Sequence, residues 1–326
     1  MRRYSARFPW DELRTAFGSR LQENVVMANY TSSRIGGPAD GLLVVQSASE
    51  LENAVTTLWQ LEVPFHLIGS GSNILISDEG VRGIVIINRA RNIRIEARNT
   101  PPTVWAESGA NLGAVARQVA LRGFGGLEWA ATVPGTIGGA VYGNAGAHGA
   151  DMRSNLVLAE ILHRNLGKTT WNVEDLAYDY RSSALKRNPG DAIVLAARLR
   201  LFPSTTDEVQ KKMEEYAARR RSTQPPGASM GSMFKNPPGD AAGRLIDAAG
   251  LKGTRRGGAE ISKLHANFFV NCGQAKAIDV YELIQIARQT VLQRFGVSLE
   301  LEIELLGSFP NDSTGSLTTL QARDEP

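Results

Sequence analysis

Residues 125–149, GGLEWAATVPGTIGGAVYGNAGAHG, hold eight glycines in 25 positions, against 33 in the 326 residues of the whole chain. Pro134 stands directly before Gly135, and the pair Gly138-Gly139 follows Thr136 and Ile137. Such a stretch presents backbone more than side chain. Without Cβ atoms, main-chain N–H groups approach a bulky anion closely, and successive N–H groups facing one concavity cradle phosphate. Glycines also serve sharp bends where sheets meet, so the stretch taken alone leaves both uses open.

Upstream, a predicted strand over 65–68 runs into Gly69-Ser70-Gly71-Ser72-Asn73, after which Ile74-Leu75-Ile76 is again apolar and β-branched. A Rossmann dinucleotide turn needs G-x-G-x-x-G opening a helix and an acidic residue about 20 positions on. Neither condition is met. Residues 69–73 therefore read as a phosphate-cradling loop between strands, or as a plain serine-glycine turn.

Around these two loops the pattern is mixed α and β. Residues 1–24 read as an amphipathic lead-in with Trp10, Leu13 and Phe17 at helical spacing, 29–34 as extended and 35–38 as a turn. Strands are expected at 41–46 and 83–88, with the capping box Ser47-Ala48-Ser49-Glu50 opening a helix between them. Further on come a strand from residue 103, a helix capped by Asn111 and stopped by Gly123, and strands at 156–163, 169–173 and 193–201. A helix over 206–221 ends in the breaker cluster Gln224-Pro225-Pro226-Gly227. A short helix closed by Gly250, a helix over 279–295, a strand over 297–305 and a polar tail expected to be poorly ordered complete the chain. The division that results is 25–90, 91–203, 204–308 and a flexible tail 309–326, the third unit swinging on the 225–227 hinge.

At 326 residues and 42% hydrophobic content, two or three cored domains are expected. A formal charge of +3, with no dense basic block except Arg219-Arg220-Arg221, argues against nucleic acid and for small anions. Cys272 is the single cysteine, the amino terminus lacks a signal-like apolar run, and no apolar segment nears the ~20 residues of a membrane span. A cytoplasmic protein without membrane contact is expected. His66, His148, His163 and His265 show no metal-ligand spacing, so no metal is expected.

Seven motifs in order, Ile35-Gly36-Gly37, Gly69 to Asn73, VPGTIGG at 133–139, Asn144-Ala145-Gly146, Tyr180-Arg181, GSMFKNP at 231–237 and Leu299-Glu300-Leu301-Glu302, carry a resemblance. The chain resembles the UDP-N-acetylenolpyruvoylglucosamine reductase family over about residues 29–307. The resemblance implies an α+β fold of the vanillyl-alcohol-oxidase type: two FAD-binding subdomains, 25–90 and 91–203, and a substrate-binding domain over 204–308. It implies non-covalent FAD, NADPH as hydride donor, a monomer, and UDP-N-acetylglucosamine enolpyruvate as the small-molecule substrate of a peptidoglycan-precursor reaction.

Position by position, the resemblance gives Gly69, Ser70, Gly71, Ser72, Asn73, Pro134, Gly135, Thr136, Gly138, Gly139, Asn144, Ala145 and Gly146 to the cofactor. Arg181, a proton-donating Ser232 and a protonated, hydrogen-bonding Glu302 become catalytic. Tyr180, Arg220, Lys235, Asn236 and Asn267 become substrate contacts, with Gln224 where longer members carry a lysine. From the residues alone, Arg181 could instead pair with Asp175 or Asp179, Ser232 could be a turn residue, and Glu302 could face solvent on an edge strand. No insertion between Arg181 and Thr206 supplies the tyrosine loop of the longer type, so the shorter type is expected. The alternative function is another FAD enzyme on this scaffold, an oxidase of alcohols or hydroxy acids, and a third reading is a nucleotide-binding module without catalysis.

Overall fold

The computed structural model describes residues 8–310. Four strands form the first sheet, in the order Gln22–Val26, Pro38–Val45, Val81–Asn88, Phe65–Ile68. The last three run parallel, so the chain must cross over between them, and the helix Ala48–Gln60 makes the crossing. Ser47 Oγ accepts the Glu50 N–H at 3.1 Å, and the Glu50 carboxylate accepts the Gln46 N–H at 2.9 Å, one residue before the reciprocal partner of a capping box. Leu51, Val55 and Leu58 of this helix are fully buried in a core that also takes Leu13 and Phe17, from the helix Trp10–Phe17. The segment expected to be extended at 29–34 is a 3₁₀ turn, Met27–Tyr30, followed by a local loop in which Thr31 Oγ1 accepts the Ile35 N–H at 3.1 Å. The threonine hydroxyl offers the backbone a partner that a strand ladder would otherwise supply.

The second sheet is antiparallel, in the order Gly167–Trp171, Leu156–His163, Ala192–Arg200, Thr103–Glu107, Ile93–Glu96. Ile93–Glu96, unrecognised in the sequence, is a four-residue edge strand whose two isoleucines alternate with charge. The strand expected at 169–173 lies at Gly167–Trp171, because Asn172 caps a helical turn, Val173–Leu176, and draws Val173 into it. The helix Thr206–Thr223, placed by the boundary at 204 with the third unit, instead packs Met213 and Tyr216 against the core of the second.

The third unit is an antiparallel sheet, Ala228–Ser232, Phe268–Asn271, Ala259–Ile261, Arg255–Arg256, covered by the helices Ala242–Ala248 and Ala277–Phe295. Of the strand expected at 297–305, only Glu304–Leu306 forms, and it pairs in parallel with Ile74–Ile76 of the first unit. Leu299 and Ile303 are anchored one by one in the third core instead of by a ladder. Phe309, expected in the tail, stacks on Tyr281 with ring centroids 5.1 Å apart, while 311–326 lie outside the described residues.

The third unit is fastened to the first rather than hung from 225–227. The Asp78 carboxylate accepts the N–H groups of Ala277 and Ile278 at 2.8 and 3.0 Å, which caps the longest helix. Asn271 Nδ2 donates to the Ser33 carbonyl at 2.9 Å. A free swing would break both contacts and the strand Glu304–Leu306 together.

Candidate active site

The loop after Phe65–Ile68 holds four consecutive backbone N–H groups, those of Ser70, Gly71, Ser72 and Asn73, that donate to nothing among the described residues. Unsatisfied amides in a row are the physical signature of an anion cradle. Gly71, at φ +61°, packs so closely that a Cβ would lie 2.2 Å from the Tyr30 carbonyl. A Cβ on Gly69 would lie 2.4 Å from Thr136 Oγ1, so the two glycine loops meet face to face. Beside them opens a cleft of about 260 Å³ whose lining includes Tyr30, Ser32, Gly69, Ser70, Arg89 and Arg91. Both arginines are exposed and make no side-chain hydrogen bond or ion pair among the described residues. Two free cations and four free donors suit the diphosphate of a dinucleotide cofactor.

The second loop contributes less backbone than its glycine content suggests. The Ile137 and Gly138 N–H groups are taken by the carbonyls of Ala110 and Ser108, at 2.9 and 2.8 Å, and Thr136 Oγ1 caps the short helix Ile137–Gly143. That leaves the N–H groups of Gly135 and Thr136 without acceptors among the described residues. Gly138 serves packing, since a Cβ there would lie 2.9 Å from Ser108 Cβ. Asn144, expected at the cofactor, is 4% exposed, and its amide is consumed inside the protein: Nδ2 donates to Asp151 and to the Asp179 carbonyl, and Oδ1 accepts the Arg153 N–H. Its role is to hold the Asp179–Ser182 turn.

That turn aims Arg181. Asp179 and Ser182 exchange two backbone hydrogen bonds of 3.1 Å, and Arg181 between them sits at φ +55°, where a non-glycine residue is strained. Its guanidinium bridges the molecule: Nε donates to Glu302 Oε1 at 2.8 Å and Nη2 to the Gly146 carbonyl at 2.9 Å. Neither aspartate competes, because Asp175 caps with Asn172 and Asp179 accepts the Tyr180 N–H.

Glu302 is held on three sides. Its N–H donates to the Met233 carbonyl at 3.0 Å, next to Ser232, and its own carbonyl accepts from Asn73 Nδ2 at 3.0 Å. The Glu304 N–H donates to the Asn73 carbonyl at 2.9 Å. Arg181, Glu302 and the Ser232–Met233 strand end thus converge beside the end of the anion loop, although they lie far apart in sequence. Glu302, expected to carry a proton, is here the ion-pair acceptor of Arg181, with side chains 17% and 25% exposed.

The other expected contacts divide. Tyr180 is exposed, with its hydroxyl 3.5 Å from the Asn236 backbone nitrogen. Asn236 Oδ1 accepts the Ala242 N–H at the start of a helix, and the Lys235 ammonium is taken by Glu300. Asn267 is 3% exposed and clamps Phe234, accepting its N–H at 2.9 Å and donating to its carbonyl at 2.8 Å. It shapes the strand, with one bond on each of its amide atoms spent inside the protein. Arg220 is half-buried without an acceptor among the described residues, and burial lowers its basicity from the usual arginine value. The Gly146 carbonyl as an arginine acceptor was not legible in the sequence, since any residue supplies a carbonyl. No cluster of metal-ligating side chains exists among the described residues.

Fold and site define a flavoprotein: residues 39–170 match a family model described as FAD binding domain. Residues 223–306 match the model of UDP-N-acetylenolpyruvoylglucosamine reductase, C-terminal domain. A UDP-N-acetylenolpyruvoylglucosamine reductase of Chloroflexus aggregans is 43% identical over 88% of this chain and 97% of its own length. One from Bacillus velezensis is 38% identical over 91% and 97%. The crystal structure of the Thermus caldophilus reductase superposes with a TM-score of 0.75 at 36% identity, covering 88% of this chain and 99% of that one. The chain belongs to the UDP-N-acetylenolpyruvoylglucosamine reductase family. The α+β fold of the reductase and the FAD requirement expected above both hold.

Proposed function

We propose that the chain reduces the enolpyruvyl group of UDP-N-acetylglucosamine enolpyruvate to UDP-N-acetylmuramate, with NADPH as reductant, for peptidoglycan synthesis. The observation that carries it is the Arg181 guanidinium fixed between Glu302 and the Gly146 carbonyl, beside a loop of free N–H groups. The N–H groups of Ser70–Asn73 and Gly135–Thr136 would hold FAD, which would supply the hydride chemistry for the enol-ether double bond.

Negative charge then develops into the substrate carboxylate. Arg181 has Nη1 free to meet it among the described residues, and the bonds from Nε and Nη2 hold the guanidinium plane in place. Glu302 orients Arg181, and Ser232 delivers a proton to the substrate carbon. Arg220, half-buried and unpaired, receives the substrate diphosphate. The free cysteine Cys272 and a small nucleotide substrate fit a monomer in the cytoplasm, and no described helix is long and apolar enough to cross a membrane. Membership of the family disfavours the oxidase alternative.

The test is anaerobic. NADPH bleaches the flavin of the purified holoenzyme, and addition of the enolpyruvyl substrate restores the colour while the product gains two hydrogens by mass spectrometry. Bleaching without restored colour would refute the assignment.

A further inference from the structure

Residues 299–306, LELEIELL, alternate in what they meet. Leu299 and Ile303 are buried in the third core and Leu301 and Leu305 pack against it, while Glu300, Glu302 and Glu304 each engage a cation. Glu300 takes the Lys235 ammonium, Glu302 takes Arg181 Nε at 2.8 Å, and Glu304 takes Lys186 Nζ at 3.3 Å. The first pair stays within the third unit and has a mostly exposed carboxylate, where an ion pair is worth little. The other two cross from the second unit, and both of their members are partly buried.

Lys186 is aimed by a capped turn of its own. The fully buried Ser183 accepts the Lys186 N–H at 3.2 Å and donates to the Tyr142 carbonyl at 2.6 Å, so the turn Ala184–Arg187 hangs from the helix Ile137–Gly143. The Tyr142 phenol also faces Glu304, and burial first, then the Glu304 charge, push its pKa up and keep it neutral. Among the described residues, Lys186 is therefore the cation that balances Glu304. The pair is not needed to place the strand, because the ladder with Ile74–Ile76 and the burial of Ile303 and Leu306 already do so. What it settles is which cation each carboxylate engages.

Glu302 and Glu304 are two residues apart, at most about 7 Å of chain. With Lys186 in place, two carboxylates face two cations, and Nη1 of Arg181 is left free among the described residues. Without it, two carboxylates would share one guanidinium, and Glu304 would draw on Nη1, since a partly buried carboxylate left without its cation is costly. We propose that Lys186 is a positioning residue of the reaction: by engaging Glu304 it reserves Arg181 Nη1 for the substrate carboxylate. The inference rests on the reading of Arg181 as the donor to that carboxylate.

The experiment follows both half-reactions of the holoenzyme by stopped-flow absorbance in Lys186→Gln, in Glu304→Gln and in the variant with both changes. Lys186→Gln should slow flavin oxidation by the enolpyruvyl substrate about tenfold or more, towards the roughly 10²–10³-fold of a donor lost outright, while flavin reduction by NADPH stays within about threefold of wild type. Glu304→Gln alone should stay within about threefold of wild type in both steps. Added to Lys186→Gln, it should return the oxidative step to within about threefold of wild type, because the competing charge is gone. A double variant as slow as Lys186→Gln makes the pair a structural tether and overturns the proposal. Lys186→Gln at the wild-type rate, or equal slowing of both half-reactions, overturns it too. Failure of the parent reading has a different signature, namely wild-type flavin that NADPH reduces and the enolpyruvyl substrate does not reoxidise.

Discussion

Replacing Arg181 by alanine and, separately, by glycine distinguishes its chemistry from its structural work. Either change deletes the donors to Glu302 and the Gly146 carbonyl and leaves a carboxylate only 17% exposed without its cation. Hydrogen bonds involving a charged group are worth ~1.5–3 kcal/mol each, and partial exposure brings the pair to about 2–3 kcal/mol together. The two variants differ in the backbone. At φ +55° alanine keeps a left-handed strain of about 1 kcal/mol that glycine does not have. Glycine should therefore denature later than alanine by about 1 kcal/mol, less whatever its more flexible unfolded chain takes back. Catalysis should not follow that order. Charge reaches the substrate carboxylate only after hydride transfer, and one lost donor to such a charge costs about 10²–10³-fold. Stopped-flow absorbance should show flavin oxidation by the enolpyruvyl substrate slowed by that factor in both variants, with flavin reduction by NADPH within about threefold of wild type. Equal slowing of both half-reactions, or recovery of the oxidative step in Arg181→Gly, would refute the catalytic assignment.

Ser232→Ala should lower turnover by about 10²-fold or more while NADPH still bleaches the flavin, and Ser232→Cys should lose less; turnover within about tenfold of wild type removes the proton-donor role. Gly69→Ala puts a methyl 2.4 Å from Thr136 Oγ1 and should part the two loops, seen as a lower ratio of flavin to protein absorbance after purification than in wild type. Asp78→Ala leaves two helix-end N–H groups without their acceptors and should cost about 1–2 kcal/mol in urea denaturation. Burial lowers the His66 pKa from 6.5 to about 4, so the folded state holds this ring neutral. Above pH 6.5 neither state carries the proton, and stability is unaffected. As pH falls from 6.5 towards 4 the unfolded chain takes the proton first, and folding should lose roughly 2–3 kcal/mol that His66→Phe retains in pH-dependent melting curves.

The local elements were legible wherever one segment makes its own case. Helix caps at Ser47 and Asn111 and the apolar residues Leu51, Val55 and Leu58 depend on neighbours within a turn or two, and the structure has them. The edge strand Ile93–Glu96 was not legible, because an alternation of two isoleucines with two charged residues is too short to stand out until a partner, Thr103–Glu107, is beside it. The internal partners of Asn144 and Asn267 were not legible for a related reason. The resemblance gave each to a ligand, and only the folded chain shows the three and two internal hydrogen bonds by which their buried side chains clamp neighbouring segments.

The sequence by itself determined the family and the two glycine loops and singled out Arg181, Ser232 and Glu302 as candidates, because backbone access and side-chain chemistry are properties of residue type. Which partner each residue meets was decided by tertiary structure alone. Nothing local brings Glu302 to Asn73 across 229 positions, or to Arg181 across 121. The parallel pairing of Glu304–Leu306 with Ile74–Ile76 does so, and a strand finds that edge only when Leu306 is buried in the first core and Leu299 and Ile303 in the third. The acid partner of Arg181 is therefore a consequence of how two hydrophobic cores share one short segment of chain.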